Sequence, residues 1–123
     1  MPLSYHCLAK MNDTHAILVG GRLPDESASD RVFVINFSTQ VWTEVEPLSE
    51  PRDRHTCQMV ESENQERGPE LIVVGGGTIT QNTTEIYSVL DQEWRMGPDF
   101  PIDINRYYSS HFSYISLRST IDL

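Results

Sequence analysis

Positive charge, cysteine and long apolar runs are all scarce in this 123-residue sequence. Nine lysines and arginines stand against eighteen aspartates and glutamates, which gives a net charge of −9. Proteins that bind nucleic acid rely on a basic surface, so this balance argues against nucleic acid as a partner. No stretch reaches the ~18 apolar residues that a membrane-spanning helix needs, and mean hydropathy is negative. We therefore expect neither a nucleic-acid nor a membrane partner.

Motifs of catalysis and of metal or phosphate binding are absent as well. The sequence has no Ser-His-Asp ordering and no Cys-x-x-Cys pair, and Gly75-Gly76-Gly77 lacks the following lysine and helix that a phosphate loop requires. His6 and His55 occupy equivalent positions of the repeat described below, which is more typical of packing than of a metal site. The sequence therefore predicts no catalytic residue, no metal and no cofactor.

What the sequence does contain is an internal repeat of about 50 residues. Each copy has an apolar stretch that ends in two glycines, then a strand residue, and then a tryptophan seven residues later. These elements are Gly20, Gly21, Ile35 and Trp42 in the first copy and Gly75, Gly76, Tyr87 and Trp94 in the second. A Pro-x-x-x-His segment precedes them at residues 2–6 and 51–55, and a third copy begins at residues 105–109. Such a repeat directs attention to a binding surface rather than to one active site.

Each copy is predicted to form four short strands joined by turns. Turn residues such as Leu23-Pro24-Asp25 and Gly97-Pro98-Asp99 separate the apolar runs, and no segment keeps a helical period. The second strand of each copy is apolar on both faces, which indicates burial between sheets on either side. The predicted strands are Tyr5–Lys10, Ala16–Gly20, Arg31–Asn36 and Val41–Val45 in the first copy, His55–Glu61, Glu70–Val74, Glu85–Val89 and Glu93–Met96 in the second, and Ser110–Ile115 in the third.

These features resemble kelch repeats, which combine a hydrophobic strand ending in Gly-Gly with an aromatic residue and a tryptophan. The resemblance covers about residues 2–101 well and residues 102–115 in part. Three positions depart from the family pattern: Ile35 replaces the usual tyrosine, Leu3 replaces the arginine found at 52 and 106, and Ser109 replaces the histidine found at 6 and 55. The resemblance implies an all-β fold, a partial β-propeller of two four-stranded antiparallel kelch blades plus the first strand of a third.

The expected boundaries are residues 2–50 for the first kelch blade, 51–101 for the second, and 102–123 for the start of a truncated third repeat and a tail. Kelch blades usually assemble into closed rings, which two blades cannot form. Three explanations stay open: a piece of a longer protein, an evolutionary remnant, or a ring assembled from several copies. We expect the remaining blades to come from a longer chain rather than from self-association.

The two cysteines are too few for a disulfide scaffold. In the repeat alignment Cys7 matches Thr56 and Cys57 matches Leu8, so the two side chains are expected on opposite faces of equivalent strands. We interpret both as buried free thiols that act as small hydrophobic residues. This interpretation favours a reducing compartment.

Three N-glycosylation sequons, at Asn12, Asn36 and Asn82, favour secretion instead. The first residues of the sequence do not resemble a signal peptide, because they already match a repeat strand. A cytoplasmic protein is therefore the expectation, and an extracellular protein is the alternative.

The resemblance also implies a binding face. In kelch propellers the loop after Gly-Gly and the loop before the first strand emerge on the same face, where many members bind partner peptides. Four of the nine basic residues fall on this face, and guanidinium groups hold carboxylates through paired hydrogen bonds, so a protein partner with an acidic peptide is expected. In the alternative interpretation, Arg52 and Arg106 have structural partners and Arg22 and Arg54 make the contacts. The candidate contact residues are Arg22, Asp25, Glu26, Arg52, Arg54, Thr78, Gln81, Arg106 and Tyr107.

The expected function is that of a non-enzymatic protein-interaction module that recognises a substrate or partner. In animal proteins of this type the kelch propeller is often the recognition half of a cullin ubiquitin-ligase adaptor with BTB and BACK domains, and actin association is a related function. The alternatives are a secreted kelch protein and a fragment of a galactose-oxidase-like copper enzyme. The five tyrosines offer no paired histidine at matching positions for such a copper site.

Overall fold

The computed structural model describes residues 6–61, 68–76 and 83–99 of the chain. Eight β-strands lie within these ranges, and none of the described residues is helical. The described residues accordingly include no helix that could span a membrane. The strands are β1 Cys7–Lys10, β2 His15–Val19, β3 Val32–Asn36, β4 Val41–Val45, β5 Thr56–Glu61, β6 Pro69–Val74, β7 Thr84–Ser88 and β8 Glu93–Met96.

The strands form two four-stranded antiparallel sheets in which sequential strands are neighbours. We call β1–β4 blade 1 and β5–β8 blade 2. Tight turns close the hairpins: in the β3–β4 turn, Asn36 Oδ1 accepts hydrogen bonds from the amides of Ser38 at 2.9 Å and Thr39 at 3.3 Å. The predicted all-β pair of four-stranded blades is confirmed. The strand predicted at Ser110–Ile115 lies outside the described residues, and the blade boundaries stay predictions.

The main hydrophobic core lies between the two blades. Alternation along each strand sends half of its side chains to the face that points at the other blade. Apart from its first residue, each of β2 and β6 is buried along its whole length, as the apolar runs predicted. Burying one such aliphatic side chain contributes about 1.5–3 kcal/mol, so this interface dominates the apolar stabilisation of the chain. Its buried members are Ile17, Val19, Val32, Leu48, Leu71, Val73 and Tyr87.

Residues 46–55 join β4 to β5, and we call them the connector. Glycine is required where this connector packs against the strand ends. Gly20 has a φ of 61° and Gly76 a φ of 89°, a backbone region that favours glycine. A Cβ atom on Gly20 would lie 2.6 Å from the carbonyl oxygen of Arg52, and one on Gly76 would collide with the carbonyl oxygen of Asp53. The Gly-Gly pairs therefore allow residues 51–55 to approach both sheets closely.

The interpretation of Cys7 and Cys57 as free thiols is wrong, because the two residues form a disulfide between β1 and β5 with their Cα atoms 6.1 Å apart. Cys7 pairs with Val19, which directly precedes the first glycine pair. Cys57 pairs with Val73, which is separated from the second glycine pair by one residue. The cysteines thus do occupy opposite faces of equivalent strands. Stacked blades meet through opposite faces, so this arrangement brings the two sulfur atoms together rather than keeping them apart.

Candidate functional site

One end of the two sheets gathers loops that were expected to form a binding face. At this end β2 finishes and β3 begins, and β4 leads into the connector that reaches β5. We define the loop face as residues 20–31, which join β2 to β3, together with residues 51–55 of the connector. The loop face therefore combines one loop of blade 1 with the segment that enters blade 2.

Backbone hydrogen bonds join the two segments of the loop face. The amide of Gly21 donates to the carbonyl oxygen of Arg52 at 2.8 Å, and the amide of Arg52 donates to the carbonyl oxygen of Ser29 at 3.0 Å. Ser29 and Arg52 also form an isolated antiparallel bridge. The loop and the connector thus form one hydrogen-bonded unit, which gives the surface a fixed shape.

Arg52 is buried, and its side chain fastens the connector to blade 2. Its Nε donates to Oε2 of Glu85 at 2.9 Å, and the two side chains are 0% and 1% exposed. Its Nη1 donates to the carbonyl oxygen of Gly75 at 2.9 Å, and its Nη2 donates to Oγ1 of Thr83 at 2.8 Å. The other Glu85 oxygen accepts the amide of Ser49 at 2.8 Å. This placement agrees with the alternative interpretation of Arg52 as a structural residue, and we leave it out of the contact residues.

Arg22 stays at the surface and forms an ion pair across the loop face. Its Nε and Nη2 both lie 3.0 Å from Oδ2 of Asp53. The Arg22 side chain is 26% exposed, whereas that of Asp53 is 8% exposed. Because one partner comes from the blade 1 loop and the other from the connector, the position of the Arg22 guanidinium depends on the blade interface.

The other predicted contact residues of the loop face differ in exposure. Asp25 is exposed, and hydrogen bonds from the hydroxyl and the amide of Ser27 lower the pKa of its carboxyl. Glu26 is exposed with a φ of 70°, and Arg54 is half-buried with a φ of 59°. Side chains other than glycine rarely adopt this left-handed region, and such residues concentrate at functional sites.

His55 is buried at the blade interface. Its Nε2 donates to the carbonyl oxygen of Val19 at 2.8 Å, so the imidazole connects the connector to β2. Burial lowers the pKa of His55 to about 4, an effect that the nearby Arg52 reinforces and the hydrogen bond to Val19 opposes. A neutral imidazole at this position agrees with a packing role. No group of three or more histidine, cysteine and acidic residues that could hold a metal occurs among residues 6–61, 68–76 and 83–99.

Part of the predicted face lies outside the described residues, and one residue that holds the face in place was not predicted. Thr78, Gln81, Arg106 and Tyr107 are outside the described residues, so their part in the face stays a prediction. Glu85, the partner of Arg52, was not singled out in the sequence. Its signal was a single carboxylate inside an otherwise uncharged strand, where a buried acid requires a cationic or hydrogen-bonding partner.

Several proteins of known family are similar to this chain, although no protein-family model matches it. Over 97 residues, which are 77% of the chain, it is 27% identical to Kelch repeat and BTB domain-containing protein 2 of Cowpox virus (strain GRI-90 / Grishak). Horsepox virus has a protein of the same name that is 25% identical over the same length. Over 87 residues, 71% of the chain, it is 32% identical to Kelch domain-containing protein 7A of Mus musculus. The chain spans only 16% of the length of the two viral relatives and 10% of the mouse relative.

Proposed function

The chain belongs to the kelch-repeat family, whose members are in general protein-interaction modules, and from this premise we propose that its loop face recognises an extended acidic segment of a partner protein. The observation that carries the proposal is the union of residues 20–31 and 51–55 into one hydrogen-bonded surface. Loops held by a rigid scaffold are the usual location of binding residues. The two stacked sheets supply such a scaffold.

The charges of the loop face refine the chemistry of the ligand. Arg22 and Arg54 provide guanidinium groups on the loop face, although the chain as a whole has a net charge of −9. Carboxylates are the matching groups, because guanidinium binds them with charge-assisted hydrogen bonds. The exposed Asp25 and Glu26 lie on the same face and would repel an entirely acidic peptide. The favoured ligand therefore carries one or two acidic residues together with a basic one.

Selection of a displayed library of random peptides against the 123-residue chain tests this function. We expect the enriched peptides to contain acidic residues, and we expect glutamine in their place to abolish binding. Arg54→Ala should weaken the binding of an enriched peptide by roughly ten-fold, the equivalent of 1.4 kcal/mol.

Arg95→Ala is the matched control, because Arg95 is a surface arginine of blade 2 that pairs with Glu70 away from the loop face. It should leave peptide binding unchanged. Enrichment of peptides without acidic residues, or equal losses in the two variants, would contradict the proposed ligand. A large drop in Tm for Arg54→Ala would assign that residue a structural role instead.

We further propose that this module works within a longer cytoplasmic protein that also has a BTB domain. The names of the viral relatives, which combine kelch repeats with a BTB domain, support this setting. In such a protein, the loop face would bind an acidic peptide segment of a second protein and so deliver that protein to a cullin ubiquitin ligase. The full-length transcript and co-purification of its product with a cullin test the setting. A signal peptide in that product would contradict it.

A further inference from the structure

We propose that Cys7 and Cys57 form a reversible disulfide that joins the two blades beneath the loop face and controls how firmly that face is held. The inference rests on the proposed function of the loop face as a binding surface. The two cysteines are 50 residues apart in sequence, one on the first strand of each blade. Their bond is therefore a covalent connection between blades rather than within one blade.

The geometry of the two strands allows this bond without distortion of either sheet. The Cα atoms are 6.1 Å apart, within the range of roughly 4.4–6.8 Å that disulfides occupy. Cys57 packs against the core cluster between the blades, yet both cysteines keep part of their surface exposed. Partial exposure matters because exchange requires a thiolate to reach one of the sulfur atoms.

A closed circuit of contacts connects the disulfide to the loop face. Cys7 is paired with Val19 in the first sheet, and the carbonyl oxygen of Val19 accepts the hydrogen bond from His55. His55 is the last residue of the loop face and is separated from Cys57 by one residue. With the disulfide formed, every link of this circuit except the histidine hydrogen bond is covalent or belongs to a strand pair. With the disulfide reduced, the connector is held to blade 1 by the chain that leaves β4, by hydrogen bonds and apolar contacts, and by the ion pair of Arg22 and Asp53.

The chemistry balances with a low-molecular-weight disulfide such as oxidised glutathione. The thiolate of one cysteine attacks a glutathione sulfur, forms a mixed disulfide and releases one glutathione thiolate. The thiolate of the other cysteine then attacks the mixed disulfide at the protein sulfur and releases the second glutathione. Two electrons pass from the protein to glutathione, and the two protons of the cysteines go to the released thiolates. Reduced glutathione reverses both steps. In a cytoplasmic protein such a bond is transient and responds to the redox state.

Equilibration of the 123-residue chain in glutathione buffers of stepped oxidation tests the bond itself. After rapid acid quench and tryptic digestion without reductant, oxidising buffers should yield residues 1–10 linked to residues 55–67, the two tryptic peptides that contain the cysteines. Reducing buffers should yield the two peptides apart. Absence of the linked peptide in every buffer, or its persistence in the most reducing glutathione buffer, would overturn the reversible bond.

Hydrogen exchange on the same samples tests the link to the loop face. The amides of Gly21 and Arg52, which bridge the two segments, should exchange at least ~10-fold more slowly in the oxidised chain, while amides within the β6–β7 pair change little. The oxidised chain should also melt about 10 °C higher. A Cys7→Ser/Cys57→Ser variant should behave as the reduced chain in every buffer. Equal exchange at Gly21 and Arg52 in both states would overturn the control of the loop face.

Binding of an enriched acidic peptide separates this inference from the proposed function. Tighter binding to the oxidised chain by several-fold, lost in the serine variant, supports both. If exchange responds to oxidation but no acidic peptide is enriched, the proposed ligand fails and the disulfide control stands. If an acidic peptide binds equally to both states, the control of binding fails and the proposed ligand stands.

Discussion

The tryptophans of the two blades occupy equivalent repeat positions but have different surroundings. Trp94 of blade 2 packs on Tyr87 with ring centroids 4.9 Å apart, and its Nε1 donates to the carbonyl oxygen of Glu46, the first residue after β4 of blade 1, at 2.8 Å. Trp42 of blade 1 is 52% exposed and makes an edge contact with Phe33 at 6.0 Å. The same repeat signal therefore leads to a tryptophan that joins two blades in one case and to a largely exposed one in the other.

The difference shows what a repeat motif specifies and what it leaves to the neighbouring sheet. The motif places a tryptophan on one face of the outer strand, but only a second blade supplies the apolar surface and the carbonyl that complete its contacts. On the same face of blade 1, Leu8 is 54% exposed beside the buried Phe33 and Ile35. That face has the chemistry of a blade interface, since its equivalent in blade 2 is covered by blade 1.

A second contrast concerns the buried ion pair. Glu85 of blade 2 pairs with Val73, and Phe33 of blade 1 pairs with Leu18. Val73 and Leu18 each lie two residues before a glycine pair, so Glu85 and Phe33 occupy equivalent positions. In the sequence alignment, Leu3 corresponds to Arg52. Both charged residues of the pair are thus replaced by apolar ones in the first repeat. Such joint replacement is expected, because a buried charge without its partner is strongly destabilising.

The largest expected effect comes from breaking that ion pair. Glu85→Ala leaves the guanidinium of Arg52 buried beside an empty position, so we expect the free energy of unfolding to fall by about 3–5 kcal/mol in urea denaturation. The control is Glu44→Ala, which breaks the exposed pair of Arg31 and Glu44 and should change the urea midpoint little. Similar midpoints for the two variants would mean that the buried pair does not hold the connector to blade 2.

An intermediate effect is expected from comparing the two tryptophans directly. Trp94→Ala removes a contact between blades and should lower the free energy of unfolding by about 2–3 kcal/mol, less than for a fully buried tryptophan. Trp42→Ala should cost less than half of that amount, because half of its side chain is already in water. Thermal melts and urea titrations of the two variants side by side provide the measurement. Equal losses would show that the blade 1 face is covered in solution.

The smallest expected effect is a pH dependence that arises from the interface histidine. The pKa of His55 is lowered to about 4 in the folded chain, against about 6.5 for an unperturbed histidine, so the unfolded chain binds a proton first as pH falls. Stability is therefore complete above pH ~6.5 and is lost progressively down to pH ~4. Between pH 7.5 and pH 5 this amounts to about 2 kcal/mol.

Removal of the titrating group isolates the contribution of His55 from that of the carboxylates. His55→Gln should be less stable than the parent chain at pH 7.5 but should lose less stability on acidification to pH 5. Identical pH profiles for the parent and His55→Gln would show that His55 is not buried in a neutral form.

Local patterns in the sequence were sufficient for the strands. β4 and β8 match their predicted bounds, and the other described strands differ from theirs by at most two residues at either end. Alternation, apolar runs and turn residues act over a few positions, so they determine strand bounds without knowledge of the partner sheet. The Gly-Gly pairs were also readable, although their reason, the close approach of the connector at residues 51–55, was not.

The roles of individual residues depended on contacts that no local pattern contains. Arg52 and Arg22 have the same side chain and both belong to the predicted face, yet one is fully buried and the other is 26% exposed. The partner of each lies more than 30 positions away, so its presence follows from the packing of the blades. Sequence spacing identified the loops of the face but not which of their charges stay at the surface.

The amino-acid sequence was enough to establish a pair of four-stranded kelch blades, because repeated short-range patterns specify each strand, turn and face. The relation between the blades was decided by the tertiary structure alone. Only the stacking of two sheets brings opposite faces together, and this stacking joins Cys7 to Cys57, buries Arg52 and leaves Trp42 exposed. These outcomes depend on contacts between residues far apart in sequence, 50 positions for the cysteines and 33 for Arg52 and Glu85, which no local pattern determines.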